Sequence, residues 1–343
     1  MSSETPSRIA VLCPSEIARR RFVPALASVP GAKYAGVGVA TARERGGDAQ
    51  EARERSARQR ETAEGMRQTF GGRVWESFDE LLRDPGVDAV YIPLPPALHF
   101  PWALRALEAG KHVMLEKPFA TDARDTACLL EESRRRELAV HENYMFAFHS
   151  QIDYLMRALA DGLVGELRLA RVDFGFPFRG GSDFRYAPEL GGGALLDCGG
   201  YALKLAAMLV GPDAQVRAAS TGQGRGLGVD LFGSATVAGE GGVAQISFGM
   251  DNDYRCDVNL WGSTGTLRSG RILTAPVGFE PVFEVRRNGD VETVRLEPDD
   301  SFAKSIERFL ACTRDAVLAE RQRAEIAAQA QLVEQFRQLA GLS

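Results

Sequence analysis

The chain has 343 residues, more than one average domain, with 45% apolar and 25% charged residues, the ordinary make-up of a soluble globular protein. Its 41 basic residues stand against 46 acidic ones, and the formal charge of −5 argues against a broad surface for nucleic acid or anionic membrane. Five cysteines, at 13, 128, 198, 256 and 312, form no C-x-x-C pair, which excludes a disulfide framework or zinc site, predicts no metal and suits a reducing, cytoplasmic setting.

The polar opening MSSETPSR lacks the apolar core of a secretory leader, and no unbroken apolar run nears the ~18 residues of a membrane span. RIAVL (8–12) reads as a short strand, followed by the turn Cys13-Pro14-Ser15 and a helix with Ile17, Ala18, Phe22 and Leu26 on one face. A dinucleotide phosphate loop, G-x-G-x-x-G/A, belongs at such a turn. Its matching positions here are Cys13, Ser15 and Ala18, with Glu16 and Ile17 between. Small side chains let a pyrophosphate approach the helix start, but two glycines are missing, and an ordinary strand-to-helix turn explains the stretch equally well.

YAGVGVA (34–40) is a second strand, with no acid at its end for ribose hydroxyls. Thr41 and Arg43 there suit a 2′-phosphate, or simply open the next helix. Residues 43–67 are mostly Arg, Glu, Ala and Gln and predict one long solvated helix laced with opposite charges, with no function attached. RVW (73–75), SFDELL (77–82) with Ser77 as cap, DAVYIPLP (88–95), HFPWALRALEAG (99–110) and KHVMLEKP (111–118) continue the alternation of strand and helix. That rhythm means parallel βαβ units in a doubly wound sheet. In VMLEKPFA an apolar strand tail runs into Glu116-Lys117-Pro118. A lysine at the carboxyl end of such a strand lies where open α/β sheets keep their ligand crevice. It is either a plain strand end or a device that aims an amine.

A helix over about 123–137, the strand LAVHENY (138–144) and a helix over 150–161 follow. From about 165 strands succeed one another at 167–176, 215–220, 229–238, 243–250, 256–270, 282–288 and 291–297. Strands without intervening helices predict a large, mostly antiparallel open sheet. Helices over 301–318 and 321–341 close the chain. Two domains result: a dinucleotide-binding Rossmann domain (1–122), and an α+β domain (123–343) for substrate and oligomerisation. In GGGALLDCGGYALKLA (191–206) three glycines let the backbone approach a ligand or another segment. Asp197, Tyr201 and Lys204 then share a helix face. A tyrosine beside cations can serve as general acid; a capping aspartate with a half-exposed Tyr and Lys fits the same pattern. Of the four histidines, His99 is best placed for a cleft.

In order and spacing, IPLPPALH (92–99), EKP (116–118), NYMFAFHSQ (143–151) and RYAPELGGGALLDCGGYAL (185–203) resemble the Gfo/Idh/MocA oxidoreductases over nearly the whole chain. The last two stretches look most like the branch of NADP-dependent ketoreductases acting at C3 of nucleotide-linked deoxysugars. The resemblance implies Lys117 against the nicotinamide ribose and the reacting carbonyl, and Tyr201 as general acid where many members have His. It implies Asp197, Arg185 and Lys204 on the substrate side. Pro95, His99 and Glu116 would line the cofactor, with Cys13, Ser15, Glu16, Ile17 and Ala18 at its pyrophosphate. NADP is favoured over NAD, and the substrate is a keto-sugar, nucleotide-linked in that branch. Where many members carry a second Asp, three residues after the His, this chain has Lys204, which argues against the sugar and inositol dehydrogenases. Two other readings stand: a dehydrogenase of a free sugar or polyol, and a non-catalytic nucleotide-binding regulator or scaffold. The missing glycines favour the scaffold; Lys117 and Tyr201 together oppose it. The open sheet face and the family's habit predict a homo-oligomer, dimer or tetramer.

Overall fold

The computed structural model describes residues 6–45, 49–181 and 183–342. The chain forms two units, one of residues up to 120 with 124–143 and 302–326, the other of 121–123, 144–301 and 327 onward. In the first, β1 (Ser7–Val11), β2 (Ala32–Gly38), β3 (Arg73–Trp75), β4 (Ala89–Ile92), β5 (His112–Leu115) and β6 (Val140–Glu142) make one sheet in the order β3-β2-β1-β4-β5-β6. Every pairing is parallel. This is the doubly wound order, whose strand sequence reverses between β1 and β4 and opens a crevice at their carboxyl ends. The central strands read as unbroken apolar runs because both faces are covered, and all of Ala89–Ile92 is buried.

The single boundary expected near 122 meets a chain that returns. The helix Ala123–Arg135 leads to β6, which pairs with β5 from Val113↔Val140 to Leu115↔Glu142. Residues 302–326 also belong here: Ser305 Oγ lies 2.8 Å from His141 Nε2. The described residues of the charged stretch form the helices Ala42–Arg45 and Ala49–Phe70; its positions 46–48 lie outside the described residues. Ser77 caps Phe78–Arg83 as expected, accepting the amide of Glu80 at 2.9 Å.

In the second unit, β7 (Leu167–Gly175), β8 (Gln215–Gln223), β9 (Asp230–Gly239), β10 (Gly242–Gly249), β11 (Arg255–Gly262), β12 (Gly265–Gly270), β13 (Val282–Arg287) and β14 (Asp290–Arg295) form an eight-stranded sheet. Its order is β14-β13-β12-β11-β7-β10-β9-β8. All pairs are antiparallel except β7 with β10; β7 lies between β10 and β11. The strand expected over 256–270 breaks at Ser263 and Thr264 into β11 and β12. One face packs on the helix Gly200–Val210, burying Val172, Leu231, Val237, Ile246 and Phe248. The stretch Pro188–Val210 is long and apolar enough to cross a membrane, but it is mostly buried as the core of this unit.

Candidate active site

The strand β1 delivers the turn at the first unit's crevice. Leu12 N donates to Tyr91 O at 2.9 Å, carrying the ladder one residue further. Cys13 follows, almost fully buried. Burial pushes its thiol up to about 11, against the pull of Arg45 and Gln59, so it stays protonated at neutral pH. Ser15 N donates to Cys13 O at 2.8 Å, and Ser15 Oγ accepts Ala18 N at 3.2 Å. Glu16 is exposed and pairs with Arg20 at 2.8 Å, a contact of little energetic weight in water. Phe22 stacks on Tyr91 with ring centroids 3.8 Å apart and planes 7° from parallel, fixing the following helix over β4. Beside the turn, two buried polar atoms, Arg45 Nη2 and Gln59 Oε1, have no partner among the described residues. A cation's N–H and an amide oxygen are what a dinucleotide's phosphates and hydroxyls would satisfy, so the residues present fit the cofactor.

Thr41 is differently employed. Its amide and Oγ1 both donate to Glu44 Oε2, at 2.7 and 2.9 Å, and Glu44 N returns a bond to Thr41 Oγ1 at 3.2 Å. T-A-R-E is thus a capping box. Arg43 beside it is exposed.

Glu116-Lys117-Pro118 is held at three points. Glu116 Oε1 accepts Tyr91 Oη at 2.5 Å and Asn143 Nδ2 at 2.7 Å. Asn143 Oδ1 accepts Ser305 Oγ at 2.8 Å, and Ser305 is in turn 2.8 Å from His141 Nε2. Burial raises the Glu116 carboxyl, opposed by Tyr91, Asn143 and Lys117. The Lys117–Pro118 peptide is cis, and Pro118 O lies 2.7 Å from His99 Nδ1. Phe119 N donates to Glu142 Oε1 at 2.8 Å. Lys117 itself is half-buried in the bend that follows β5.

His99 is enclosed by protein atoms. Its ring is 0% exposed, with Nε2 2.8 Å from Leu94 O as well as Nδ1 on Pro118 O. Burial lowers its ionisation to about 4 although both carbonyls favour the charged form. At neutral pH the ring therefore carries one N–H. A neutral ring donates to only one of the two carbonyls, either Leu94 O in the segment after β4, where Pro95 is half-buried, or Pro118 O in the turn after β5.

In the second unit, Tyr201 begins the helix Gly200–Val210 and is almost fully buried. Its ring meets Tyr144 edge-on at 5.0 Å and Phe174 at 5.4 Å, with Oη 3.9 Å from Met145 Sδ. Asp197 lies in a π-helical turn, Leu195–Gly199, and its Oδ2 accepts Arg185 Nε at 2.8 Å. Arg185 Nη1 also reaches Asp183 Oδ1 at 3.2 Å. Burial works against this guanidinium, but Asp197 and Asp183 outweigh it and its pKa is raised. Lys204 Nζ sits 5.6 Å from the Tyr144 ring centroid, so Tyr144 touches both Tyr201 and Lys204. The glycine run serves another chain segment: at Gly193, with φ +120°, a Cβ would lie 2.3 Å from Asp230 Oδ1. Asp230 Oδ2 accepts Leu195 N at 2.7 Å.

Arg185 and Asp197 are thus bonded, and Tyr201 and Lys204 share a neighbour, whereas Thr41 serves as a cap. The sequence reading missed Tyr91, Asn143, Asp183, Tyr144, Arg45 and Gln59. NYMFAFHSQ begins with Asn143 and Tyr144, so the motif marked the place without the roles. Among the described residues no group of three His, Cys, Asp or Glu side chains could hold a metal.

Residues 31–144 match the family described as oxidoreductase family, NAD-binding Rossmann fold, and residues 152–268 match the GFO/IDH/MocA C-terminal domain. The chain is 38% identical over 345 residues to a dTDP-3,4-didehydro-2,6-dideoxy-alpha-D-glucose 3-reductase of Streptomyces violaceoruber, covering 98% of this chain and 96% of that one. An enzyme of the same name from Saccharopolyspora spinosa is 37% identical, covering 89% and 86%. The crystal structure of KijD10, a 3-ketoreductase from Actinomadura kijaniata in complex with NADP and TDP-benzene, superposes with a TM-score of 0.86 at 34% identity and 98% coverage of both chains.

Proposed function

The chain belongs to the Gfo/Idh/MocA oxidoreductases, and from that membership we propose that it uses NADPH to reduce a ketone on a dTDP-linked deoxysugar. The observation that carries this reading is the likeness, 38% over 98% of the chain, to a dTDP-keto-sugar 3-reductase. The reduced dinucleotide supplies a hydride when bound. Lys117 stands at the carbonyl oxygen, where its ammonium steadies negative charge that grows only in the transition state. Tyr201 gives the proton that completes the alcohol. Glu116, anchored by Tyr91 and Asn143, and His99, on Pro118 O, position Lys117 by fixing the turn that carries it. Arg185, Asp197 and Lys204 are the substrate-side groups.

Purified protein given NADPH and a dTDP-linked 3-keto sugar should consume the reductant. Lys117→Ala and Tyr201→Phe should each lower kcat/KM by ~100-fold or more, the usual worth of such groups. Loss of less than ~10-fold in Tyr201→Phe would leave Lys117 as the acid. Dinucleotide binding without turnover on any keto-sugar would return the chain to the scaffold reading, and indifference to free dTDP would favour a free-sugar dehydrogenase.

The outer face of the eight-stranded sheet supports self-association. Phe232 and Trp261 are 49% and 59% exposed there. Two shallow cavities of about 360 and 240 Å³ mark the same face, the second lined by Trp261, Arg171 and Arg268. All five cysteines are free thiols, which suits a cytoplasmic protein.

A further inference from the structure

We propose that Arg45, seconded by Gln59, is the residue that selects NADP over NAD, and that the helix Ala49–Phe70 serves to hold this pair at the adenosine end of the dinucleotide. The inference rests on the cofactor reading above. The residues at the end of β2 from which phosphate recognition was expected do not supply it well: Thr41 is spent in its capping box, and Arg43 is exposed. Arg45 is placed differently. Its Nε donates to Ser56 Oγ at 3.0 Å, and Ser56 Oγ donates to Ala40 O at 2.6 Å. One turn further along the same helix, Gln59 Nε2 donates to Cys13 Sγ at 3.0 Å. The long helix is thereby pinned to the end of β2 and to the turn after β1, the two segments that flank the adenosine in a dinucleotide fold.

Both side chains keep one polar atom unsatisfied. Arg45 Nη2 and Gln59 Oε1 are buried without a partner among the described residues. Buried polar groups are ordinarily bonded, and a guanidinium more strictly than most. The two vacant atoms are a charged donor and a neutral acceptor, on side chains that both act on Cys13. That combination matches a phosphate monoester next to a hydroxyl or amino group. Ribose hydroxyls alone would want an acidic acceptor, and none follows β2 until Glu44, which is engaged with Thr41. The rest of the helix explains little of its presence, since Ala52, Ala63 and Met66 are its buried apolar residues and its outer ion pairs, such as Arg55–Glu51, are exposed.

The test is equilibrium binding read by nicotinamide fluorescence, with NADPH and NADH titrated in parallel, and competition by adenosine 2′,5′-bisphosphate. Arg45→Gln should weaken NADPH by ~10–100-fold, as expected for loss of a charge-assisted phosphate contact, and leave NADH within ~2-fold. Arg45→Lys should fall between, keeping charge but not the planar fork. The bisphosphate should displace NADPH from the wild type and fail on Arg45→Gln. Unchanged NADPH affinity in Arg45→Gln, or equal weakening of both dinucleotides in a variant whose thermal unfolding matches wild type, overturns the assignment. Wild-type protein that binds neither dinucleotide overturns the cofactor reading and this one with it.

Discussion

At His99 the ring is sealed between the carbonyl oxygens of Leu94 and Pro118, and desolvation lowers its ionisation from 6.5 to about 4. The unfolded chain therefore binds more protons than the native one between those values. Stability rises with pH from about 4 to 6.5 on this account and is level above it. A displacement of that size corresponds to roughly 3 kcal/mol. In denaturant titrations at pH 7 and pH 4, His99→Gln should lose roughly 3 kcal/mol less than wild type between the two. Equal losses would mean that the native ring is charged. The sequence placed His99 in a cleft because it follows a strand end; the structure encloses its ring between two carbonyl oxygens. It could not show that both nitrogens turn inward, since that depends on Pro118, 19 residues away. Glu116-Lys117-Pro118 after an apolar run is by contrast a local pattern, although the partners that tie Glu116 down, Tyr91 and Asn143, are 25 and 27 residues distant.

Among the elements, periodicity served well where a strand or helix has one buried face. The alternation in β9, with Leu231, Ala235 and Val237 buried and Phe232 and Ser234 exposed, needs no partner to be read. Pairing across the chain is another matter. Nothing local tells β6 to join β5, or residues 302–326 to return to the first unit. The same limit hid the reason for the two glycines in D-C-G-G-Y. A Cβ on Gly200 would lie 2.2 Å from Tyr144 Oη, so the helix carrying Tyr201 sits close against that ring only because Gly200 has no side chain. Gly200→Ala should destabilise the protein by ~1–3 kcal/mol through overpacking, seen as a lower midpoint in thermal or denaturant unfolding. A variant as stable as wild type would show that Tyr144 yields at no cost.

On the scale of the whole molecule, the outer face of the eight-stranded sheet is a feature a monomer leaves unexplained. Sheets covered on one side only usually meet solvent with polar residues, yet Phe232 and Trp261 point outward here. If a second copy covers that face, Trp261→Glu should shift the mass measured by light scattering at micromolar concentration from oligomer to monomer, with helix and strand content unchanged. An unaltered mass would move the contact elsewhere. The two-unit plan and the parallel and antiparallel sheets were legible because strand–helix alternation and its later absence are long-range signals in composition. The functional account built on them stands or falls with hydride transfer. The most direct measurement supplies NADPH carrying deuterium on its hydride-donating carbon, with a dTDP-linked 3-keto sugar, and reads the product by mass and NMR. Deuterium on the new carbinol carbon of the sugar is the predicted result; NADPH bound and left intact, with the ketone unchanged, would contradict it.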